Sequence, residues 1–252
     1  MNQELSGKTV LVTGASRGIG AAASLAFAEA GAAHIAIHYN SYREGAEQVA
    51  STVRSKGAKA TLIQSDLSSS EGIHELCARV KELDLDILIN NAGHLVQRAK
   101  LAEYSEDLFD RVSNLNVKSV YLVTQAAAPA MIAKRAGVIV NVSSIAARNG
   151  GGPGSTIYAA AKAAVSTMTK GLAKELAPEG IRVNAVSPGT VDNYFHEKYS
   201  SREMLNGVIA ATPAGTLGTN EEVADVILFL CTSPSRYIHG QTIEINGGMY
   251  MV

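Results

Sequence analysis

The feature that most constrains this chain is a regular alternation of short apolar runs with longer helical patterns. Seven runs predict strands, at residues 9–12, 34–39, 60–64, 86–90, 138–142, 181–186 and 241–245. Between them, helical periodicity predicts helices at residues 19–30, 44–56, 117–135, 156–177 and 221–230, with one more around residues 73–80. Strands that alternate with helices form a parallel sheet covered by helices on both faces and joined by right-handed crossovers. The pattern therefore predicts a doubly wound α/β fold.

One segment interrupts this alternation. Residues 190–218 carry Tyr, His, Met and polar residues between a predicted strand and a predicted helix. Excursions at the carboxyl ends of strands commonly shape substrate pockets, so we expect a substrate-binding segment here. The alternative is a plain pair of surface helices. No linker or low-complexity stretch divides the chain, and we expect a single domain over residues 1–252.

Composition excludes several classes of protein. Of the 252 residues 46% are apolar and 18% are charged, and the formal net charge is −1. Disordered chains combine low hydrophobicity with high net charge, and nucleic-acid binders need a basic face, so neither class fits. No apolar run approaches the roughly 18 residues of a membrane span. Cys77 and Cys231 fall in helical patterns, which predicts buried, inert thiols and a cytoplasmic setting; the histidines show no metal-ligand spacing, and we expect no metal site.

A glycine-rich turn follows the first predicted strand. It reads Thr-Gly-Ala-Ser-Arg-Gly-Ile-Gly over residues 13–20. Glycines at such a turn let the backbone approach a pyrophosphate, and the amino end of the following helix offers unpaired N–H groups to the phosphates. The turn predicts a dinucleotide site of the Rossmann type, with the candidate contacts Gly14, Ser16, Arg17, Gly18, Ile19 and Gly20.

The end of the second predicted strand bears on which dinucleotide binds. An acid about 20 residues after the glycines would bind a ribose 2′-hydroxyl, but here the strand is followed by Asn40 and Ser41. Arg17 lies in the turn and Arg43 follows the strand. Basic and neutral groups suit a 2′-phosphate, which a carboxylate would repel. We therefore predict NADP(H) in preference to NAD(H), with Arg43 alternatively a solvated residue at the start of a helix.

The candidate catalytic residues are a tyrosine and a lysine four positions apart. In Tyr158-Ala-Ala-Ala-Lys162 both side chains fall on one face of a predicted helix. A neighbouring ammonium favours phenolate, so we expect Lys162 to lower the pKa of Tyr158; a pKa near 7 would need roughly 4 kcal/mol. Such a tyrosine can exchange a proton with a substrate oxygen near neutral pH. Ser144, after the fifth predicted strand, could hydrogen-bond the same oxygen.

A second pair has the same spacing and a different context. Tyr194 and Lys198 lie in the 190–218 segment. Tyr158 follows a predicted strand that ends in Ser143-Ser144, whereas no such pair of serines precedes Tyr194. We expect them at the rim of a pocket or on a helix surface.

In these motifs, and over nearly its whole length, the chain resembles the short-chain dehydrogenase/reductase family. The resemblance implies that Asn116, Ser144, Tyr158 and Lys162 are catalytic. Tyr158 would exchange a proton with the substrate oxygen, which Ser144 would orient. Lys162 would hold the nicotinamide ribose, and Asn116 would organise a water in the proton relay. The further cofactor contacts that it implies are Asp66, Leu67, Asn91, Ala92, Gly93, Pro188, Gly189 and Val191; Asn90 and Asn91 could equally tie strands and loop together.

Within the family the carboxyl-terminal tail, residues 240–252, is similar to that of bacterial 3-oxoacyl-[acyl-carrier-protein] reductases. Those enzymes present basic residues near the cleft to dock the acidic carrier protein. At the matching positions this chain has Arg135 but Glu179, and Asn193 replaces a usual threonine. Three hypotheses stay open: an NADP-dependent carbonyl reductase that acts on 3-oxoacyl thioesters, a sugar, polyol or cyclic-alcohol dehydrogenase, and a non-catalytic dinucleotide sensor. The resemblance also implies a homotetramer built on the helices at 117–135 and 156–177.

Overall fold

A computed structural model describes residues 4–252. The strands are β1 (Thr9–Val12), β2 (His34–Tyr39), β3 (Lys59–Gln64), β4 (Ile87–Asn90), β5 (Gly137–Val142), β6 (Ile181–Pro188) and β7 (Thr242–Ile245). They form one sheet in the order β3-β2-β1-β4-β5-β6-β7, and every pairing is parallel. From β1 the chain adds strands on one side of the sheet up to β3, and from β4 onward it adds them on the other side. The switch point of the sheet therefore lies between β1 and β4. In open α/β sheets ligands bind at this position.

Helices cover both faces of the sheet. They are α1 (Gly18–Glu29), α2 (Arg43–Ser55), α3 (Ser70–Lys81), α4 (Glu106–Ser113), α5 (Ser119–Lys134), α6 (Ala146–Asn149), α7 (Thr156–Leu176), α8 (Tyr194–Tyr199), α9 (Arg202–Ala211) and α10 (Asn220–Leu230). The predicted doubly wound fold is confirmed. Within the described residues, no helix is both long enough and apolar enough to span a membrane.

The core consists of two apolar layers, one on each face of the sheet. In β1, Val10 and Val12 belong to the layer under α1 and α10, whereas Leu11 belongs to the layer under α3 and α5. All three side chains are fully buried. Because both faces are covered, consecutive residues of a central strand are apolar, which explains the unbroken runs in the sequence.

The long helix predicted over residues 117–135 is present as α5, which begins two residues later, at Ser119. Residues 114–118 instead form a π turn between α4 and α5. This wider turn fully buries the Asn116 side chain. Single π turns of this kind occur often at functional sites.

The 190–218 segment leaves the sheet after β6 and returns before α10. Its two ends are hydrogen-bonded to each other, since Gly218 N donates to Thr190 O at 3.0 Å and Asp192 N donates to Gly218 O at 2.9 Å. Between these ends lie α8 and α9, so the irregular stretch is a closed loop that carries two helices. We refer to residues 190–218 as the substrate segment.

Both cysteines are free thiols, but only one is fully buried. Burial raises the pKa of Cys231 to about 12, which makes this thiol inert. Cys77 is half-buried, contrary to the expectation of a fully buried side chain, and its pKa is also raised by burial.

Candidate active site

A cavity of about 720 Å³ opens at the carboxyl ends of the strands, between the sheet and the substrate segment. Most of the residues predicted from sequence line it. They are Gly14, Ser16, Arg17, Gly18, Ile19, Asn40, Ser41, Asp66, Leu67, Asn91, Ala92, Gly93, Ser144, Tyr158, Lys162, Pro188, Gly189 and Val191. Gly20 and Asn116 lie behind this wall and do not line the cavity. The glycine-rich turn and the tyrosine–lysine pair, 140 residues apart in sequence, thus share one cavity.

The glycine-rich turn has the backbone that its sequence requires. Gly14 and Gly18 have φ angles of 64° and 59°, in the left-handed region that favours glycine. At Gly20 an added Cβ would lie 2.5 Å from both Asn91 Nδ2 and Gly14 O. Gly20 therefore permits the close packing of α1 on the turn.

The turn presents the amino end of α1 to the cavity. Arg17 precedes α1, and its side chain makes no capping hydrogen bond to the helix. The first N–H groups of the helix are thus left for an anion, as a pyrophosphate site requires. The turn fits a dinucleotide.

His38, which sequence reasoning missed, supports the turn from behind. Its Nδ1 accepts from Gly14 N at 3.1 Å, and its Nε2 lies 3.2 Å from Ser65 O and 3.1 Å from Ser65 Oγ. Complete burial lowers the pKa of His38 to about 4, so the ring is neutral at pH 7 and free to accept from Gly14. A histidine in an apolar strand gives no sequence signal for this role.

Asn90 and Asn91 tie strands and turn together. Asn90 Nδ2 donates to Thr124 Oγ1 at 3.0 Å and to Asn141 Oδ1 at 2.9 Å, deep in the core. Asn91 Nδ2 donates to Thr13 O at 2.8 Å and Gly14 O at 3.1 Å. The structural role weighed for both residues is confirmed, and Asn91 also lines the cavity.

The floor of the cavity carries Ser144, Tyr158 and Lys162. Ser144 follows β5, and Tyr158 and Lys162 lie one turn apart on α7. The Lys162 side chain is 2% exposed, and its Nζ donates to Val142 O at 2.7 Å. Neighbouring Ser143 has a structural role, since its Oγ donates to Lys162 O at 2.9 Å. The strand end that presents Ser144 thus also anchors the lysine.

The expected pKa of Tyr158 is wrong in direction. The ring faces the cavity, but protein surrounds its hydroxyl, and this burial raises the pKa of Tyr158 to about 12; the Ser144 hydroxyl acts in the opposite sense. Lys162 Nζ lies 5.7 Å from the ring centroid and is directed to Val142 O. Burial also lowers the pKa of Lys162 to about 8. At neutral pH Tyr158 is therefore a phenol, the form that donates a proton.

Asn116 lies beneath Gly93 and beside Lys162. Its Nδ2 donates to His94 O at 3.0 Å and to Val112 O at 2.9 Å. Its Oδ1 is buried and has no hydrogen-bond partner among residues 4–252. A Cβ built on Gly93 would lie 2.6 Å from that oxygen and 2.7 Å from Lys162 Nζ. An unpaired buried acceptor next to a cation fits a relay that a water or a ribose hydroxyl completes.

The two arginines predicted near the cofactor have different surroundings. Arg17 lines the cavity, and its guanidinium carbon lies 4.0 Å from the ring centroids of both Tyr42 and Tyr194. Arg43 does not line the cavity; its Nε donates to Glu47 Oε1 at 2.7 Å, and its side chain is 70% exposed. The alternative interpretation of Arg43, a solvated residue at the start of a helix, fits this geometry, because the side chain pairs within its own helix.

The substrate segment forms the opposite wall. Tyr194 and Lys198 lie at the rim, as expected, and Phe195 packs on Tyr158 with 5.9 Å between ring centroids. Asn193 caps α8, its Oδ1 accepting from Phe195 N at 3.1 Å. The segment is therefore part of the site, not a plain pair of surface helices.

A doubly wound sheet with a phosphate turn at its switch point and a Ser–Tyr–Lys group on the cavity floor defines an oxidoreductase that uses a nicotinamide dinucleotide. A family model described as Enoyl-(Acyl carrier protein) reductase matches residues 14–250. The chain belongs to the short-chain dehydrogenase/reductase family and acts between CH–OH and C=O groups.

Curated relatives match nearly the whole chain. The 3-oxoacyl-[acyl-carrier-protein] reductase FabG of Thermotoga maritima is 41% identical over 247 residues, covering 97% of this chain and 98% of the relative. FabG of Staphylococcus aureus is 38% identical over 249 residues, with the same coverage.

Solved structures are similar in fold and more varied in activity. One, from Beutenbergia cavernae with bound NADP, is described as an NAD(P) dependent gluconate 5-dehydrogenase; its TM-score is 0.91 at 31% identity, and 99% of each chain is covered. Another is an NADH-dependent reductase A1-R′ responsible for alginate metabolism, with a TM-score of 0.88 at 31% identity, covering 99% of this chain and all of the other.

Proposed function

We propose that this protein is an NADP(H)-dependent reductase that converts a carbonyl group to a secondary alcohol. The observation that carries the proposal is the convergence of Ser144, Tyr158 and Lys162 on the floor of the cavity whose other end is the glycine-rich turn. A bound nicotinamide would supply the hydride. The residues of the chain would bind, orient and move protons.

Each residue has one task in this mechanism. Tyr158 donates the proton to the substrate oxygen, since its hydroxyl is protonated at neutral pH. Ser144 hydrogen-bonds the same oxygen and orients it. Lys162, held by Val142 O, would donate to the ribose hydroxyls of a bound dinucleotide, and its Nζ lies 5.7 Å from the centroid of the Tyr158 ring. The unpaired Asn116 Oδ1 would accept a hydrogen bond from a water, and that water would return a proton toward Tyr158 after the reaction.

The proposed preference for NADP(H) rests on the adenosine end of the cavity. Arg17, Asn40 and Ser41 line this end, and no carboxylate follows β2. A guanidinium beside neutral residues suits a 2′-phosphate. Relatives bind either dinucleotide, as in the structure with bound NADP and the NADH-dependent reductase.

For the substrate, the proposal is a 3-oxoacyl thioester. The FabG relatives support it through identities of 38% and 41% over nearly the whole chain. Arg135 does not support docking of an acidic carrier protein that would carry the thioester, because Arg135 pairs with Glu179 at 3.4 Å. The two residues precede β5 and β6, so they lie at the amino ends of the strands, whereas the cavity lies at the carboxyl ends.

A second candidate is a dehydrogenase or reductase for sugars, polyols or sugar acids. It is favoured by the charge of the substrate wall, where Arg98, Arg111 and Lys198 line the cavity and the only acid that lines it among residues 4–252 is Asp66, the residue expected at the adenine. Arg111 lies 3.9 Å from Asp107, which does not line the cavity, whereas Lys198 has no ion-pair partner among residues 4–252, and such a cation suits a carboxylate-bearing substrate. The gluconate 5-dehydrogenase and the reductase of alginate metabolism are structural neighbours of this kind.

The test is a matched assay panel. Purified protein is assayed with NADPH and NADH against acetoacetyl thioesters, diketones, ketoses and keto sugar acids, beside Tyr158→Phe and the control Tyr237→Phe, whose parent residue is 97% exposed. We expect thioester reduction with NADPH, lost by a factor of at least about 100 in Tyr158→Phe and retained in the control. Turnover only with keto sugar acids would select the second candidate, and full activity of Tyr158→Phe would refute the mechanism.

We further propose a homotetramer built on α5 and α7. Tyr121 on α5 and Phe109 on α4 are each 47% exposed, and subunit interfaces are enriched in aromatic side chains of this kind.

A further inference from the structure

Arg17 is held between two tyrosines that come from opposite sides of the cavity. Its guanidinium carbon lies over the ring of Tyr42 and over the ring of Tyr194, 4.0 Å from each centroid. Tyr42 precedes α2, and Tyr194 is the first residue of α8 in the substrate segment. We refer to these three residues as the Arg17 clamp.

Stacking leaves one part of a guanidinium available. Its two faces interact with aromatic rings, whereas its five N–H donors lie in the plane and point outward from the edge. Among the hydrogen bonds and ion pairs that residues 4–252 make, none uses the Arg17 side chain. The two ring contacts therefore hold the guanidinium in place, and its N–H donors have no hydrogen-bond partner among residues 4–252, which leaves them for a ligand.

The Tyr42 ring is fixed from behind. A Cβ added to Gly45 would lie 2.1 Å from Tyr42 Cε1 and 2.4 Å from Ser16 O. The ring thus lies directly over a glycine of α2 and beside the phosphate turn. This half of the clamp is built into the fold.

The other half of the clamp belongs to the substrate segment. Tyr194 touches Arg17, and the next residue, Phe195, packs on Tyr158. Two consecutive residues therefore contact the cofactor end and the catalytic end of the cavity. Tyr194 thus links the position of Arg17 to the position of the substrate segment.

We propose that Tyr42 and Tyr194 are positioning residues for cofactor specificity, which hold the edge of Arg17 toward the 2′-phosphate of NADP(H). The inference rests on the proposed preference for NADP(H). It makes the substrate segment a determinant of which dinucleotide binds.

The test compares Tyr42→Leu and Tyr194→Leu with Tyr42→Phe and Tyr194→Phe. Phenylalanine keeps an aromatic face for the cation, and leucine removes it. Calorimetry with adenosine 2′,5′-bisphosphate and with 5′-AMP measures the 2′-phosphate contribution without turnover. We expect each Leu variant to weaken bisphosphate binding about 3- to 30-fold and to leave 5′-AMP within twofold, while the Phe variants bind as wild type. KM should rise for NADPH and not for NADH.

Arg17→Met separates the two proposals. If it leaves the ratio of bisphosphate to 5′-AMP affinity unchanged, the NADP(H) preference itself is wrong. If it abolishes that ratio while the Leu variants keep it, the preference stands and the clamp is overturned. An equal loss of both ligands in the Leu variants would also overturn the clamp, since it would reflect general packing. Tyr237→Leu, at a 97% exposed position, is the control for folding and handling.

Discussion

The ammonium nitrogen of Lys162 lies 2.7 Å from the carbonyl oxygen of Val142 and donates a hydrogen bond to it. Val142 ends β5, two residues before Ser144, so a single backbone position sets the lysine relative to the serine. This hydrogen bond to a backbone carbonyl fixes the position of the ammonium on the cavity floor, a role that does not require a carboxylate partner. No carboxylate among residues 4–252 forms an ion pair with this ammonium, so its charge is available to a ligand.

We predict that Lys162→Met lowers kcat at least about 100-fold, because the charge next to Tyr158 and the donor to the ribose are both lost. Lys170→Met, at an exposed position of the same helix, is the matched control and should keep wild-type turnover. The measurement is steady-state reduction at saturating NADPH. Retention of kcat within threefold would contradict the role of Lys162.

The pH profile of the reduction follows from two shifted groups. Tyr158, with a pKa raised by burial to about 12, stays a proton donor through pH 9, so it causes no loss of rate. Lys162, with a pKa lowered by burial to about 8, loses its charge above that pH. We expect kcat/KM for reduction to be level from pH 6 to about 7.5 and to fall above about pH 8. A level profile up to pH 10 would show that the lysine charge is not needed.

Gly93 separates Asn116 from Lys162, and a methyl group there should disturb both. In Gly93→Ala the new Cβ would lie 2.6 Å from Asn116 Oδ1 and 2.7 Å from Lys162 Nζ. We expect kcat to fall at least about 10-fold, since small displacements of reacting groups are costly, while circular dichroism shows an intact fold. Gly171→Ala, where a Cβ meets nothing within 4 Å, should instead keep activity and stabilise α7 by up to about 1 kcal/mol. Equal activity of the two variants would sink the prediction.

His38 should make stability depend on pH. Its folded pKa of about 4 lies below the unfolded value of about 6.5. Protons therefore bind the unfolded state more strongly, and the stabilising contribution present above pH 6.5 is lost as the pH falls toward 4. His38→Asn keeps an acceptor for Gly14 N but does not titrate. We expect its free energy of unfolding to be lower than that of wild type, and we expect this difference to shrink by about 2 kcal/mol as the pH falls from 6.5 to 4.5. Denaturant unfolding of both proteins measures it, and a deficit independent of pH would contradict the role.

The proposed tetramer makes a prediction for an exposed aromatic residue. Tyr121→Asp places a charge in the proposed interface of α5, which burial would penalise. We expect a tetramer for wild type by light scattering at micromolar concentration and a smaller species for the variant. Tyr237→Asp should remain tetrameric. A monomeric wild type would refute the assembly.

Periodicity and turn chemistry predicted the sheet, because each strand is short, apolar and bounded by turn residues. All seven strands are confirmed, although β6 extends to Pro188. The same local reasoning missed α4 and the π turn, since their position depends on how Asn116 packs beneath the cavity. It also expected a low pKa for Tyr158, because spacing along a helix shows that two side chains are neighbours but does not show how far protein buries them.

Contacts between distant parts of the chain were beyond the reach of such reasoning. Arg17 and Tyr194 are far apart in sequence, and nothing local indicates that one stacks on the other. His38 likewise reads as an ordinary strand residue until its bond to Gly14 is seen. These contacts are set by the topology of the sheet, which brings the strand ends together.

The hydrogen bonds that Gly218 makes with Thr190 and Asp192 close the ends of the substrate segment, so the segment can be exchanged as a unit. Because its ends meet on the scaffold, inserting or exchanging residues between them adds little closure entropy and leaves the register of the strands alone. Substrate range can therefore diverge in evolution, or be redesigned by grafting, while the proton-transfer machinery is inherited unchanged. The exception is the first turn of α8, since a graft that replaces Tyr194 would change the wall of the cofactor site as well.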